Sequence, residues 1–175
     1  LPAPDIVGND ARKRFGRFWQ GDPLLMVAGI TIRANRQDDF KAWGKLWQKY
    51  CDFYEESVPP VVTEHTWERL LAENETLFGF VAEDEAGTLV GFTNCVVHPG
   101  TWSRRDNCYL EDLFVSADVR GKGVGRALIE AVVAKSRELS CSRVYWQTHN
   151  QNTNARALYD KITPVSNWVI YEIPN

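Results

Sequence analysis

Glycines alternate with basic side chains in Val115-Ser-Ala-Asp-Val-Arg-Gly-Lys-Gly-Val-Gly-Arg126, the stretch of this chain best suited to holding an anion. Gly121, Gly123 and Gly125 let backbone N–H groups converge, and at a helix N-terminus such groups meet the positive end of the helix dipole. Arg120, Lys122 and Arg126 add formal charge beside those donors. The sum suits a multiply charged group, most naturally a pyrophosphate, and points to a phosphate-bearing cofactor. A second set can move protons: the adjacent carboxylates Glu111 and Asp112. Three scattered histidines, His65, His98 and His149, read as surface or loop residues. Cys51, Cys95, Cys108 and Cys141 show neither a Cys-x-x-Cys pair nor a histidine spacing suited to zinc, so no metal site is expected.

These residues need a frame. The corner lies between a strand over 108–115 and an amphipathic helix in which Val124, Ala127, Leu128, Ala131, Val132 and Leu139 recur at helical spacing. In an extended strand Glu111 shares a face with Tyr109 and Leu113, and Asp112 shares the other with Leu110 and Phe114. Both carboxylates then line one pocket only if a bulge intervenes. Upstream, 30–33 reads as a short strand. Residues 37 to about 54 read as a helix with an aromatic stripe of Phe40, Trp43, Trp47, Tyr50 and Tyr54, expected mainly as core. Pro59-Pro60 reads as loop, 66–72 as a helix, and 77–83 with 88–98 as a hairpin across Asp84-Glu-Ala-Gly87. A polar loop over 99–107 follows. Downstream come a strand at 143–148, a helix over 152–161 with Asn152 as its N-cap, and a closing strand at 168–173.

Two familiar phosphate motifs do not match. A Walker loop requires a hydroxyl residue directly after its lysine, where Gly123 stands; a dinucleotide fingerprint requires a third glycine where Arg126 stands. Arg120-x-x-Gly123-x-Gly125 after an apolar strand resembles instead the acyl-CoA signature of the GCN5-related N-acetyltransferases (GNAT). Asn152, Ala155, Leu158 and Tyr159 match that family's Asn-x-x-Ala-x-x-Leu-Tyr helix. Tyr109-Leu-Glu-Asp-Leu-Phe-Val115 resembles the spermidine/spermine and histone/polyamine acetyltransferase groups. Trp43-Gly-Lys-Leu-Trp47, Thr101-Trp102-Ser103 and the ending at Tyr171 are similar to the second of these. Lys161-Ile-Thr-Pro164 and Ser166-Asn167-Trp168 depart from the family pattern, on the acceptor side.

The resemblance implies an α/β (α+β) GNAT fold, a mixed central sheet with splayed parallel strands flanked by helices. It implies acetyl-CoA as cofactor, bound by backbone groups of Leu113, Phe114 and Val115, by the loop Arg120, Gly121, Lys122, Gly123, Val124, Gly125 and Arg126, and by Asn152. Tyr159 would protonate the leaving sulfur and Glu111 would act as base, directly or through water. Tyr54, Glu55, Trp102, Glu111 and Asp112 would meet the acceptor. The implied activity is direct acetyl transfer in a ternary complex to a primary amine of a small molecule such as a polyamine, diamine or amino acid. Acetylation of a peptide or protein lysine or N-terminus, and a non-catalytic acyl-CoA-binding module, are the alternatives.

Composition fits one enzyme domain: 175 residues, 44% of them hydrophobic, suffice for a substantial core. A net charge of −3 provides no basic field for nucleic acid, and no apolar run approaches the ~20 residues that span a bilayer. Unpaired cysteines suggest a cytoplasmic protein. Residues 1–25 read as an extension of uncertain role and 26–175 as the acetyltransferase domain. Arg12-Lys-Arg14 before Leu24–Ala28 imitates a signal peptide, but Gly21-Asp-Pro23 separates the two and the apolar run leads into the first strand. A homodimer is expected, with the aromatic last strand as a shared edge.

Overall fold

The computed structural model describes residues 25–72 and 76–174. Of the expected extension over 1–25, residues 1–24 lie outside the described residues and Leu25 opens the first strand. Six strands form one sheet in chain order: β1 (Leu25–Val27), β2 (Ile30–Ala34), β3 (Leu77–Glu83), β4 (Leu89–His98), β5 (Asn107–Val115) and β6 (Val144–Tyr145). The first five pair antiparallel, and β6 runs parallel to β5. The apolar run before Thr31 therefore enters the sheet as β1, turning through Ala28 and Gly29 with φ of 49° and 76°.

Helices cover both faces. On one lie α1 (Phe40–Phe53) and α2 (Pro60–Leu71), on the other α3 (Val124–Glu138); α4 (Thr153–Tyr159) follows β6. The α1 stripe is core for most of its length. Trp43 is fully buried, stacks on Trp47 at 5.4 Å and meets Trp67 at 4.9 Å, with Phe92 of β4 beneath. Val124, Ala127, Leu128, Ala131 and Val132 of α3 pack with Ile32, Phe80, Cys108 and Leu110 on the opposite face. Arg33, buried in β2, donates two bonds to Asp39 at 2.6 and 2.8 Å and one to Glu83 at 2.6 Å. That cluster ties β2 and β3 to the turn that starts α1.

Three expectations are corrected. α2 starts at Pro60, six residues before the expected helix, because proline at the first helical position brings a suitable φ and lacks only an N–H that would have no partner there. The strand expected over 143–148 shrinks to Val144–Tyr145 because the chain leaves β5 immediately afterwards. No strand forms at 168–173. That segment extends away with Trp168, Val169, Ile170, Tyr171 and Ile173 between 64% and 92% exposed.

Candidate active site

The glycine corner is built from the end of β5. Arg120 Nε donates to the carbonyl of Val115 at 2.9 Å, folding the guanidinium back over the strand end. Gly121 and Gly123 take φ of 78° and 88°, a left-handed backbone that side chains rarely adopt. Gly123 is the N-cap of α3 and has no side chain to cap with, so the N–H groups of Val124, Gly125 and Arg126 enter the first turn with no intrahelical acceptor. Such a turn suits an anion. Gly125 serves differently: a Cβ there would stand 3.0 Å from Leu158, so its absence lets α4 close on α3. Lys122 is exposed, and Arg126 Nη2 reaches the Lys161 carbonyl at 3.4 Å. A cavity of about 290 Å³ between the end of α1 and the corner is lined by Lys49, Phe53, Phe114, Ser116, Asp118 and Arg120.

The splay is visible in the pairing. β5 and β6 share only Cys108↔Val144 and Tyr109↔Tyr145, so β5 runs on from Leu110 to Val115 with one backbone edge beyond the β6 ladder. An extended amide-bearing arm such as pantetheine can pair there as a strand would. Leu113 and Val115 turn their side chains toward the α3 core and Phe114 toward the α1 core. Asn152 caps α4: its Oδ1 accepts from Ala155 N at 3.3 Å, and its Nδ2 donates to Thr148 Oγ1 at 3.2 Å. Its side chain thus anchors the α4 start. Tyr159 ends α4, half-buried against Trp146 with ring centroids 5.4 Å apart. Burial, with Tyr54 nearby, pushes its phenol up to about 12, so it remains protonated and able to donate at neutral pH.

A β-bulge decides the acceptor side. Cys95 faces Leu110 while Asn94 faces Asp112, leaving Glu111 as the extra residue. Leu110 therefore points into the α3 core, whereas Asp112 follows Phe114 toward α1, and Glu111 is exposed. The face expected for Asp112, shared with both Leu110 and Phe114, is corrected on that ground. Asn94 Nδ2 donates to Asp112 Oδ2 at 2.9 Å, and the Tyr50 hydroxyl donates to the same carboxylate. Burial raises Asp112 to about 6, against the lowering effect of those two bonds, and Glu111 raises it slightly further. Tyr50 also meets Tyr54 edge-on at 5.0 Å and lies within electrostatic range of Tyr159.

The structure thus gathers Asp112, Tyr54 and Tyr159 around Tyr50, a residue the sequence reading placed only in the core stripe. Its position at the end of that stripe, one turn before Tyr54, was the available signal. Glu55 is exposed at a φ of 57°, and Trp102 is 92% exposed in the loop after β4; neither joins this group. Among the described residues no cluster of His, Cys, Asp or Glu is arranged to hold a metal ion, and no helix is long and apolar enough to cross a membrane.

Residues 41–163 match the model of the acetyltransferase (GNAT) family. A D-amino-acid N-acetyltransferase of Saccharomyces cerevisiae is 36% identical over 153 residues, covering 86% of this chain and 95% of its own. Among solved structures, a ribosomal-protein-alanine N-acetyltransferase from Brucella melitensis superposes with a TM-score of 0.71 at 24% identity, over 83% of this chain and 99% of its own. An aminoglycoside N-acetyltransferase in complex with CoA does so with 0.70 at 19%, over 82% and 94%.

Proposed function

The chain belongs to the acetyltransferase (GNAT) family, and we propose that it acetylates the primary amine of a small molecule, an amino acid or a polyamine, by direct attack in a ternary complex. The cofactor is acetyl-CoA, which when bound supplies an activated acetyl thioester. The chain's own residues fit it. Donors of the first α3 turn, with Arg120, Lys122 and Arg126, would hold the pyrophosphate. The free edge of β5 around Leu113, Phe114 and Val115 would pair with the pantetheine amides. A backbone N–H on that edge can also stabilise the developing charge on the carbonyl oxygen, an effect of about 3 kcal/mol for a well-placed donor. Tyr159, kept protonated, gives its proton to the departing sulfur.

One observation carries the small-amine reading: a partly buried carboxylate, Asp112, accepts a bond from Tyr50, which in turn meets Tyr54 edge-on and lies within electrostatic range of Tyr159. Such a carboxylate beside phenol rings suits one alkylammonium group, by ion pairing and by its attraction to aromatic faces. The relative that acts on D-amino acids, aligned over most of both chains, supports the amino-acid member of the class. Glu111 and Glu55, both exposed, are assigned to approach of the amine, as is Trp102 on the exposed loop after β4.

We place the protein in the cytoplasm, since all four cysteines are free thiols. We further propose a homodimer. Among the described residues the apolar segment after Pro164 pairs with no strand and the sheet ends at the two-residue β6, so a second copy offers each a strand partner. The activity is tested by incubating the protein with acetyl-CoA and a panel of D- and L-amino acids, spermidine and a lysine-containing peptide, following thiol release. Turnover confined to the peptide, or absent with every amine, overturns the small-amine reading.

A further inference from the structure

From the geometry of the β5 bulge we infer that Asp112, held by Tyr50 and Asn94, is the group that takes the proton from the acceptor ammonium, and that exposed Glu111 is not. The inference rests on the small-amine reading above. An alkylammonium such as a lysine side chain is almost wholly charged at neutral pH, with a reference value of about 10.4, and its nitrogen has no lone pair for attack until one proton leaves. The receiving carboxylate must be ionised at working pH yet basic enough to compete, and it must face the amine. Asp112 meets the geometric condition because the bulge turns it away from Leu110 and toward α1, where Tyr50 bonds it; Tyr50 meets Tyr54 and lies within electrostatic range of Tyr159 at the end of α4. Its raised value, about 6, meets the other.

Asn94 strengthens the assignment. It is 4% exposed, and while its Nδ2 serves Asp112, its Oδ1 is buried without a partner among the described residues. A half-satisfied amide on the inner face of a central strand is costly, and an aliphatic residue would pack there at less expense. What Asn94 supplies in return is a fixed carboxylate: the donated bond sets Asp112's orientation and keeps it ionised. Tyr50 does the same from the helix. Both are positioning residues.

The protons balance. The ammonium gives one proton to Asp112; its nitrogen pair then forms the C–N bond to the acetyl carbon and the C–S bond breaks. Sulfur takes the Tyr159 proton, and the second N–H proton restores the Tyr159 hydroxyl. Asp112 returns its proton to solvent, so amide, thiol and one free proton result.

The groups that bear on Asp112 are Tyr50 and Cys51 from α1, Asn94 and Cys95 from β4, and Tyr109 and Glu111 from β5. They give the test opposite signs. In kcat/KM profiles for the best amine of the panel, wild type falls away on the acid side with a midpoint near 6. Asp112→Asn loses about 100- to 10,000-fold in kcat and the limb with it. Tyr50→Phe removes a bond to the ionised form and moves the limb to higher pH; Glu111→Gln removes a neighbouring negative charge and moves it lower. If Glu111→Gln abolishes the limb while Asp112→Asn retains it, the inference is overturned. Should wild type turn over no amine of the panel, the reading of function fails instead. Titration of the Asp112 carboxyl by NMR in the folded protein then still tests the inference: a midpoint near 6 supports it and one near 4 sinks it.

Discussion

A carboxylate kept where its charge is poorly solvated should weaken the fold, and replacing Asp112 with asparagine measures by how much. Burial lifts its value from 3.8 to about 6. At 1.36 kcal/mol per pH unit, that displacement corresponds to roughly 3 kcal/mol at most. The sign follows from linkage. Below 3.8 the group is protonated in both folded and unfolded chains and makes no difference; between 3.8 and about 6 only the unfolded chain ionises readily, so stability is lost as pH rises. Above that window the whole cost is present. The substituted amide would accept the same Tyr50 hydroxyl bond without the charge. Asp112→Asn should therefore be more stable than wild type at pH 8 by about 1–3 kcal/mol, or roughly 3–8 °C in Tm for a chain of this size, and nearly equal at pH 4. Thermal unfolding of both proteins at the two pH values, without CoA, gives the comparison. An offset identical at pH 4 and 8, or a variant less stable at pH 8, would refute the reasoning.

Tyr159→Phe should lower kcat about 100-fold with little change in the KM for acetyl-CoA, because it removes a proton donor and leaves the ring packing on Trp146; steady-state kinetics decides. Gly123→Ala forces a side chain onto a φ of 88° and a Cβ to within 3.2 Å of Val27, a strain of ~1–3 kcal/mol. The Tm rise given by saturating CoA in wild type should shrink or vanish. Arg33→Gln strips Asp39 and Glu83 of their shared cation and should cost about 3–5 kcal/mol in chemical denaturation. Burial raises Asp39, but the bonds from Arg33 and the Arg36 backbone outweigh it and hold it below its ordinary value, and the Arg33 bond holds Glu83 below its own. The stability they add in wild type is therefore present at neutral pH and is lost as pH falls below the carboxylate range. Deleting everything after Pro164 should convert a dimer to a monomer in sedimentation at fixed concentration, and an unchanged sedimentation coefficient would dismiss the strand-exchange interface.

Local chemistry was legible where a residue type has few uses. Gly121 and Gly123 mark a left-handed corner wherever they occur, and Asn152 before a helix is a cap in most settings, so the corner and α4 were readable from the chain. What Asn152's side chain does with its second bond depends on where Thr148 lands, and that is set by β6 leaving the sheet. Residues 168–173 show the reverse failure. Trp168, Val169, Ile170 and Tyr171 have strong β-propensity, yet propensity supplies no partner, and a lone strand without one does not form.

The bulge was written in the chain but in a form that simple alternation hides. Cys108 and Leu110 are buried toward α3, and so are Leu113 and Val115 in part. Those four positions keep a spacing of two except for one step of three, between 110 and 113. A regular strand cannot put all of them on one face; one extra residue must sit between, and Glu111 is the one that tolerates water. Without it, Leu113 and Val115 would turn away from the α3 core and Asp112 would enter that core beside Leu110, a bare carboxylate among aliphatic side chains. The same slip that keeps the core apolar thus delivers Asp112 to the Tyr50 hydroxyl. Core packing and placement of the carboxylate are one constraint here, so a substitution that restores regular pairing at Glu111 would lose both together.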